Sequence, residues 1–249
     1  MVGKRCNPLT RQYIELCCPD EYISDDFMLS LGFGVSEISG QYKVICINAG
    51  AGSDSHFVYT LGTGTWRRVE AGAASGFRFY LDGHVVCNGN LHDLVRPSLR
   101  ICGFDVETEC FSIFSAPTIG DDGPFLTVDD VCDVELSVLR DCLCFSYTWE
   151  DEIVVWLMKE YRVNESWTIE YKLGTLEEKA VYPIKLFKDG DFLMLLNMQL
   201  IYHSNKTKST QEVGIFKGLA STDYYTCVKI FTPSLFSLKS FGIENVISY

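Results

Sequence analysis

The chain has 249 residues, of which 47% are hydrophobic, 13% aromatic and 22% charged. That is long enough to bury a sizeable core and too apolar for a disordered chain. Acidic side chains outnumber basic ones 33 to 21, giving a net charge of −12. Lys4-Arg5 and Arg67-Arg68 are the only adjacent basic pairs. Two pairs do not make a phosphate-binding patch, so nucleic acid is not an expected partner.

The chain opens on MVGKRCNPLTRQ, which has no apolar stretch after its basic residues and is no secretory signal. The longest apolar runs, Ile153–Met158 and Phe192–Leu196, are far too short to span a bilayer. The expectation is a cytoplasmic and/or nuclear chain with no membrane partner. Its eleven cysteines, at irregular spacings, are then reduced thiols acting as small apolar side chains.

In chain order, the first predicted hairpin is NPLTRQYIEL at 7–16. Ser39-Gly40 then introduces the strand QYKVICIN at 41–48, and a second hairpin follows at 59–70, YTLGTGTWRRVE. Asn88-Gly89 is the strongest single hairpin signal, since both residues tolerate the positive φ of a type I′ turn. A third hairpin lies at 104–114, FDVETECFSIF, and the polar stretch 116–133 reads as a connecting loop. Strands are predicted at 134–139, 142–147, 152–159 and 165–171, with Arg140-Asp141 turning the first pair. Asp189-Gly190 precedes the apolar run DFLMLLNMQLIY at 191–202, and YHSNKTKSTQEVGI at 202–215 is the last hairpin. Only Trp156–Val163 and Ser234–Phe241 could form a helical turn or two. The segment from Tyr224 to Phe241 is expected to supply a strand beside the first hairpin.

These hairpins form a repeat. Tyr13, Trp66, Phe111, Trp167 and Gln211 occupy matching places, 53, 45, 56 and 44 residues apart. A unit of roughly 40–50 residues points to a propeller or a related array. The apolar runs between hairpins are short, β-branched or aromatic, and apolar on both faces, as strands packed between two neighbouring blades must be. No linker divides the chain, so residues 1–249 read as one all-β domain. The repeated Trp66 and Trp167 then read as packing between blades.

Catalytic signatures are missing: there is no Gly-x-Ser-x-Gly, no phosphate loop and no His-Glu-x-x-His. Gly32-Phe-Gly34 and Gly62-Thr-Gly64 read as strand and turn glycines. His56, His84, His92 and His203 lack ligand spacing, and Cys142-x-Cys144 has no second pair to complete a zinc site. The acidic pairs Asp121-Asp122 and Asp129-Asp130 read as solvated loop. No catalytic residue, metal or cofactor is therefore assigned.

Trp149 is the more informative tryptophan. It lies in SYTWEDE at 146–152, between the second and third strands of its unit and beside acidic residues. Loops at that end can serve partner binding, and a Trp among charges is a good hot-spot type. On the predicted strand order, Asp93, Arg96, Asp121, Asp122, Glu150, Asp151 and Met198 share that end with Trp149. These eight residues form the expected partner surface.

The ordered set of stretches resembles the F-box-associated interaction domain of the large plant F-box protein family, a kelch-like propeller region. The stretches are NPLTRQY (7–13), SLGFGVSEISGQYKVICI (30–47), VYTLGTGTWRRVE (58–70), NGNLHDL (88–94) and ICGFDVETECFSIF (101–114). They continue with LSVLRDCLCF (136–145), IVVWLMKEYRVNESWTIEY (153–171), KDGDFLML (188–195) and TPSLFSLKSF (232–241). The chain departs from the family in having Cys6 and Asp93 where tryptophan is usual. The F-box itself, and two strands expected before Asn7-Pro8, are not recognisable.

The resemblance implies a kelch-like β-propeller of about five to six four-stranded blades with the first incomplete. It implies a module that recognises a target protein for ubiquitination within an SCF-type ligase, meeting the ligase adaptor only if an F-box is supplied. A truncated non-functional or competing fragment is the alternative. A propeller-fold enzyme is a further one, and would need a convergent catalytic set that the sequence does not display.

Overall fold

A computed structural model describes residues 2–7, 10–17, 19, 29–48, 56–77, 84–95, 98–117, 132–149, 152–174, 181–196, 199–213, 239 and 246–248. Among these, all extended structure is antiparallel, and the helical content is limited to short 3-10 turns at Gly72–Ala74 and Asn164–Ser166 and to Lys239.

Four sheets are sequential four-stranded meanders. The first of them comprises β3 (Leu29–Val35), β4 (Tyr42–Asn48), β5 (His56–Thr60) and β6 (Trp66–Val69). The second comprises β7 (Val85–Cys87), β8 (Asn90–Val95), β9 (Arg100–Asp105) and β10 (Phe111–Ser115). The third is β11 (Cys132–Leu139), β12 (Cys142–Trp149), β13 (Glu152–Met158) and β14 (Trp167–Gly174). The fourth is β15 (Val181–Leu186), β16 (Phe192–Leu196), β17 (Gln199–Ser204) and β18 (Ser209–Glu212).

A three-stranded sheet completes the set. It holds β1 (Val2–Asn7), β2 (Gln12–Cys17) and, from the other end of the chain, β19 (Val246–Ser248). These are propeller-type blades, with the first blade one strand short among the described residues.

The chain divides into two compact units. One holds Met1–Asp93, Cys102–Ile113 and Phe231–Tyr249; the other holds Leu94–Ile101 and Phe114–Ile230.

Local chemistry fixes the turns. Asn88 and Gly89 have φ of 49° and 70°, and Arg140 and Asp141 have φ of 51° and 60°. Both pairs are therefore two-residue turns with two left-handed residues, whose twist matches the strands they join. Glycine carries no penalty there, whereas Arg140 and Asp141 adopt the left-handed region against their preference.

One expectation is corrected. The candidate helical stretch from Trp156 begins as strand, since β13 runs to Met158 and only Asn164–Ser166 turns helically. Pairing with β12 on one side and β14 on the other takes up the β13 backbone hydrogen bonds. The other candidate, Ser234–Phe241, lies outside the described residues except for Lys239.

A strand beside the first hairpin comes from Val246–Ser248, and the 224–241 segment expected to supply one lies outside the described residues except for Lys239. Val246 pairs with Ile14 and joins the cluster of Ile14, Leu16, Val44 and Leu61, while Ile247 points outward at 41% exposure. That alternation is what an edge strand with one buried face requires.

The repeated aromatic positions make their contacts within their own units. Trp66 lies tilted against Tyr59, ring centroids 5.3 Å apart, and joins the cluster around Ile14 and Leu16 of β2. Phe111 in β10 lies 4.9 Å from the ring of His56 in β5 and 4.8 Å from Phe104. Trp167 is buried, and its indole Nε1 donates to the Ser115 carbonyl at the end of β10, 3.2 Å away. Gln211 breaks the pattern: it is exposed on β18.

Polar links also join neighbouring sheets within each unit. In the first unit Lys43 is buried, yet its Nζ donates to the Val106 carbonyl at 2.6 Å and pairs with Glu109 at 2.9 Å. Arg67 pairs with the other oxygen of Glu109. Gly34 allows this approach, because a Cβ there would stand 2.6 Å from a Val106 methyl. In the second unit Arg140 donates to the Phe187 carbonyl at 2.6 Å and pairs with Glu170, which also holds Lys159. The Tyr171 hydroxyl donates to the Gly190 carbonyl, and its ring stacks on Phe192 at 5.4 Å. The apolar cluster beneath combines Leu139, Cys144, Val155 and Leu157 with Val181, Phe192 and Met194.

Burial opposes ionisation of Glu109, but the hydrogen bonds and charges of Arg67 and Lys43 outweigh it and hold the carboxyl below its ordinary value. A carboxyl whose folded pKa is depressed stabilises the fold above its unfolded pKa of about 4.3, and that contribution disappears as pH falls through the folded value. Urea unfolding of Glu109→Gln should therefore show lower stability than the parent at pH 7. The gap should narrow as pH drops below about 4; a gap constant with pH would contradict this linkage. Trp167→Ala should cost about 3–5 kcal/mol by the same method, from the cavity and the lost indole donor, and Trp167→Phe distinctly less.

Candidate interaction surface

The hairpin of β12 and β13 carries Trp149. Its strand register is unbroken from the Cys144–Leu157 pair to the Trp149–Glu152 pair at the turn. Successive side chains of β12 alternate between faces. Cys144 belongs to the cluster shared with β15 and β16, so that face turns toward the following sheet. Leu143, Phe145, Tyr147 and Trp149 occupy the other face. Phe145 lies 6.0 Å from Tyr147 and 6.5 Å from Trp167.

Trp149 thus ends an aromatic row. Phe145 and Tyr147 are buried, and Trp149 is half-buried. Burial, together with the nearby Glu152 charge, raises the Tyr147 phenol above its ordinary pKa, so it stays neutral. Glu152, opposite Trp149, is exposed. The strand end presents part of an indole with a carboxylate across from it. This can bind a surface that offers an apolar contact and a cation.

Asp93 is the other expected surface residue among those described. It lies within β8 with a half-buried side chain rather than in a loop, and its charge helps burial raise the Cys102 thiol pKa. The remaining six, Arg96, Asp121, Asp122, Glu150, Asp151 and Met198, lie outside the described residues. Asp93 and Trp149 each sit near the turn between the second and third strands of their own sheets.

The groups weighed for other chemistry have structural places. His92 is fully buried in β8, His56 packs on Phe111, and His203 shares a 3.0 Å hydrogen bond with Thr210. Cys46, Cys87, Cys102 and Cys144 are buried free thiols. Burial pushes the Cys144 thiol up to about 12, which leaves it protonated and unreactive beside Cys142. Among the described residues, no group of three or more His, Cys, Asp or Glu is placed to hold a metal ion.

Sequence reasoning missed a second exposed feature, Ile38. It stands at the tip of the β3–β4 turn and is 85% exposed. An isoleucine in a Ser-Glu-Ile-Ser-Gly turn was the available signal, since such positions usually hold polar residues or glycine.

Comparisons with known proteins agree with this architecture. Residues 4–128 match the family model described as F-box associated beta propeller domain. The chain is 31% identical over 249 aligned positions to the F-box protein CPR1 of Arabidopsis thaliana, covering 84% of this chain and 58% of that protein. It is 30% identical over 222 positions to the F-box protein At3g07870 of the same plant, covering 74% of this chain and 50% of the relative. The F-box protein At1g47340, also from Arabidopsis thaliana, is 28% identical over 185 positions, or 71% of this chain and 37% of its own length. The chain spans about half the length of the curated relatives it matches. Meander sheets stacked through a repeated aromatic, with a family match across the first two four-stranded ones, place it plainly: the chain belongs to the F-box associated beta propeller domain family.

Proposed function

We propose that this chain is a protein-interaction domain that recruits a target protein for ubiquitination, as the recognition part of an SCF-type ligase. Family membership supports an interaction role, and relatives named as F-box proteins supply the ligase setting. The observation that carries the reading at residue level is Trp149, half-buried on a strand end with Glu152 opposite. Glu150 and Asp151 follow it in sequence and extend the acidic character of that turn.

The mechanism is positional. A domain that holds a target beside a ligase raises its effective concentration there, and the ubiquitin chemistry belongs to other subunits. No residue of this chain takes a chemical step. The domain meets the ligase adaptor through an F-box, and it acts where target and ligase coexist, in the cytoplasm or nucleus.

The test is capture of the tagged chain from plant cells with the proteasome inhibited, followed by binding measurements on each recurring protein. A true target should gain ubiquitin when the chain is joined to an F-box. Trp149→Ala should weaken its binding by about 2 kcal/mol, roughly thirtyfold in Kd, with the melting temperature little changed. A target ubiquitinated equally with and without the chain would refute the recruiting role. Unchanged affinity in the Trp149 variant would remove the assigned surface.

A further inference from the structure

The β3–β4 turn is built as a rigid mount for Ile38. The Ser36 backbone N–H donates to the Gln41 carbonyl at 2.8 Å, and the Gly40 N–H donates back to the Ser36 carbonyl at 2.9 Å. The Ser36 hydroxyl receives the Ser39 N–H at 2.9 Å and donates to the carboxylate of Glu107 from the β9–β10 turn. The same carboxylate oxygen accepts the N–H of Ile38 itself at 3.4 Å. Glu107 sits in a turn that is fixed in its own right: Asp105 Oδ1 accepts the N–H of Glu107 and of Thr108, each at 2.9 Å. Buried Lys43 holds the neighbouring Val106 carbonyl.

A second tip adjoins the first. The Asn88-Gly89 turn rests against Glu37, where a Cβ on Gly89 would lie 3.2 Å from the Glu37 carboxylate. Val86, just before that turn, is 50% exposed, and Val35, at the base of the first turn, is 38% exposed. Scattered single apolar residues on a surface need no explanation. Here the two turns touch through Glu37 and Gly89, an exposed valine precedes each, and the most exposed aliphatic side chain is the one the hydrogen bonds immobilise.

Charge indicates what covers them. Glu37 and Glu107 flank Ile38, and neither meets a cation among the described residues. The whole chain carries −12. A second copy would bring like charge to the same place, which disfavours self-association.

We propose that the Ile38 tip is a second docking surface, which takes a partner protein's segment that pairs an aliphatic or aromatic side chain with a neighbouring lysine or arginine. A pre-formed turn loses little conformational freedom on binding, so the exposed aliphatic area contributes in full. The surface lies at a turn between first and second strands, whereas Trp149 lies at a turn between second and third strands. It stands independently of the Trp149 reading.

The probe is a displayed library of random dodecapeptides selected on the purified whole chain. Enriched peptides should pair an aliphatic or aromatic residue with Lys or Arg. Their affinity, measured by fluorescence anisotropy, should fall about tenfold or more in Ile38→Asp. It should also fall in Glu37→Lys and with rising salt. Trp149→Ala should leave it unchanged. Because Ile38 is exposed, the variants should melt with the parent; should Ile38→Asp melt lower, Ile38→Ser gives the reading instead. No enrichment over an unrelated protein of similar charge would overturn the proposal, as would peptides that bind the Ile38 variants as well as the parent. Peptides lost only in Trp149→Ala would overturn it while leaving the proposed recruiting role intact.

Discussion

Burial of the second strand of each meander on both faces is the constraint on which this structure depends. Lys43–Ile47 in β4, Leu143–Thr148 in β12 and most of β16 are buried without alternation. A sheet with such a strand cannot stand alone in water. Each fully buried aliphatic or aromatic side chain contributes about 1.5–3 kcal/mol that is lost if either face opens. Neighbouring sheets are therefore part of the folding unit of each blade, and in the first unit Trp66 and Phe111 on the fourth strands close the seams with the preceding sheets.

Polar links then fix how neighbouring sheets sit. They repeat in kind but not in identity: Lys43 reaches the Val106 carbonyl in one unit, and Arg140 reaches the Phe187 carbonyl in the other. In each case a cation satisfies a turn carbonyl on the next sheet and is balanced by a glutamate, Glu109 or Glu170. Lys43 shows why the balance is needed. A buried ammonium without partners would cost several kcal/mol, so its depth is tolerable only with the carbonyl and the carboxylate together.

Because the faces of the sheets are consumed by packing, recognition is left to strand ends and turns. This places Trp149 and Ile38 in contrasting situations. The indole extends a buried aromatic row and is itself half-buried. Ile38 has almost no packing and is held by the hydrogen bonds of its own turn and Glu107. Binding at the first would draw on an apolar surface already half covered; binding at the second would draw on pre-organisation.

Much of this was legible in the chain. Asn88-Gly89 turns as its residue types predict, Arg140-Asp141 turns where the apolar runs on either side place it, and the strands read at 134–139, 142–147, 152–159 and 165–171 appear at 132–139, 142–149, 152–158 and 167–174. Trp149 was legible as a strand-end tryptophan because its surroundings change abruptly from apolar to acidic. Asp93 was not legible as a strand residue, since a polar side chain next to buried Leu94 gives no sign of where the strand ends. Local sequence determined the turns, the repeat and the two-faced apolar strands, because φ preferences and hydrophobic pattern act over a few residues. Only the tertiary structure decided that Val246–Ser248 completes the first sheet, that Glu107 locks the Ile38 turn, and that Lys43 can be buried. Each of these joins residues about 60 or more positions apart. Such pairings depend on which groups the folded sheets leave facing one another, and no local preference encodes that.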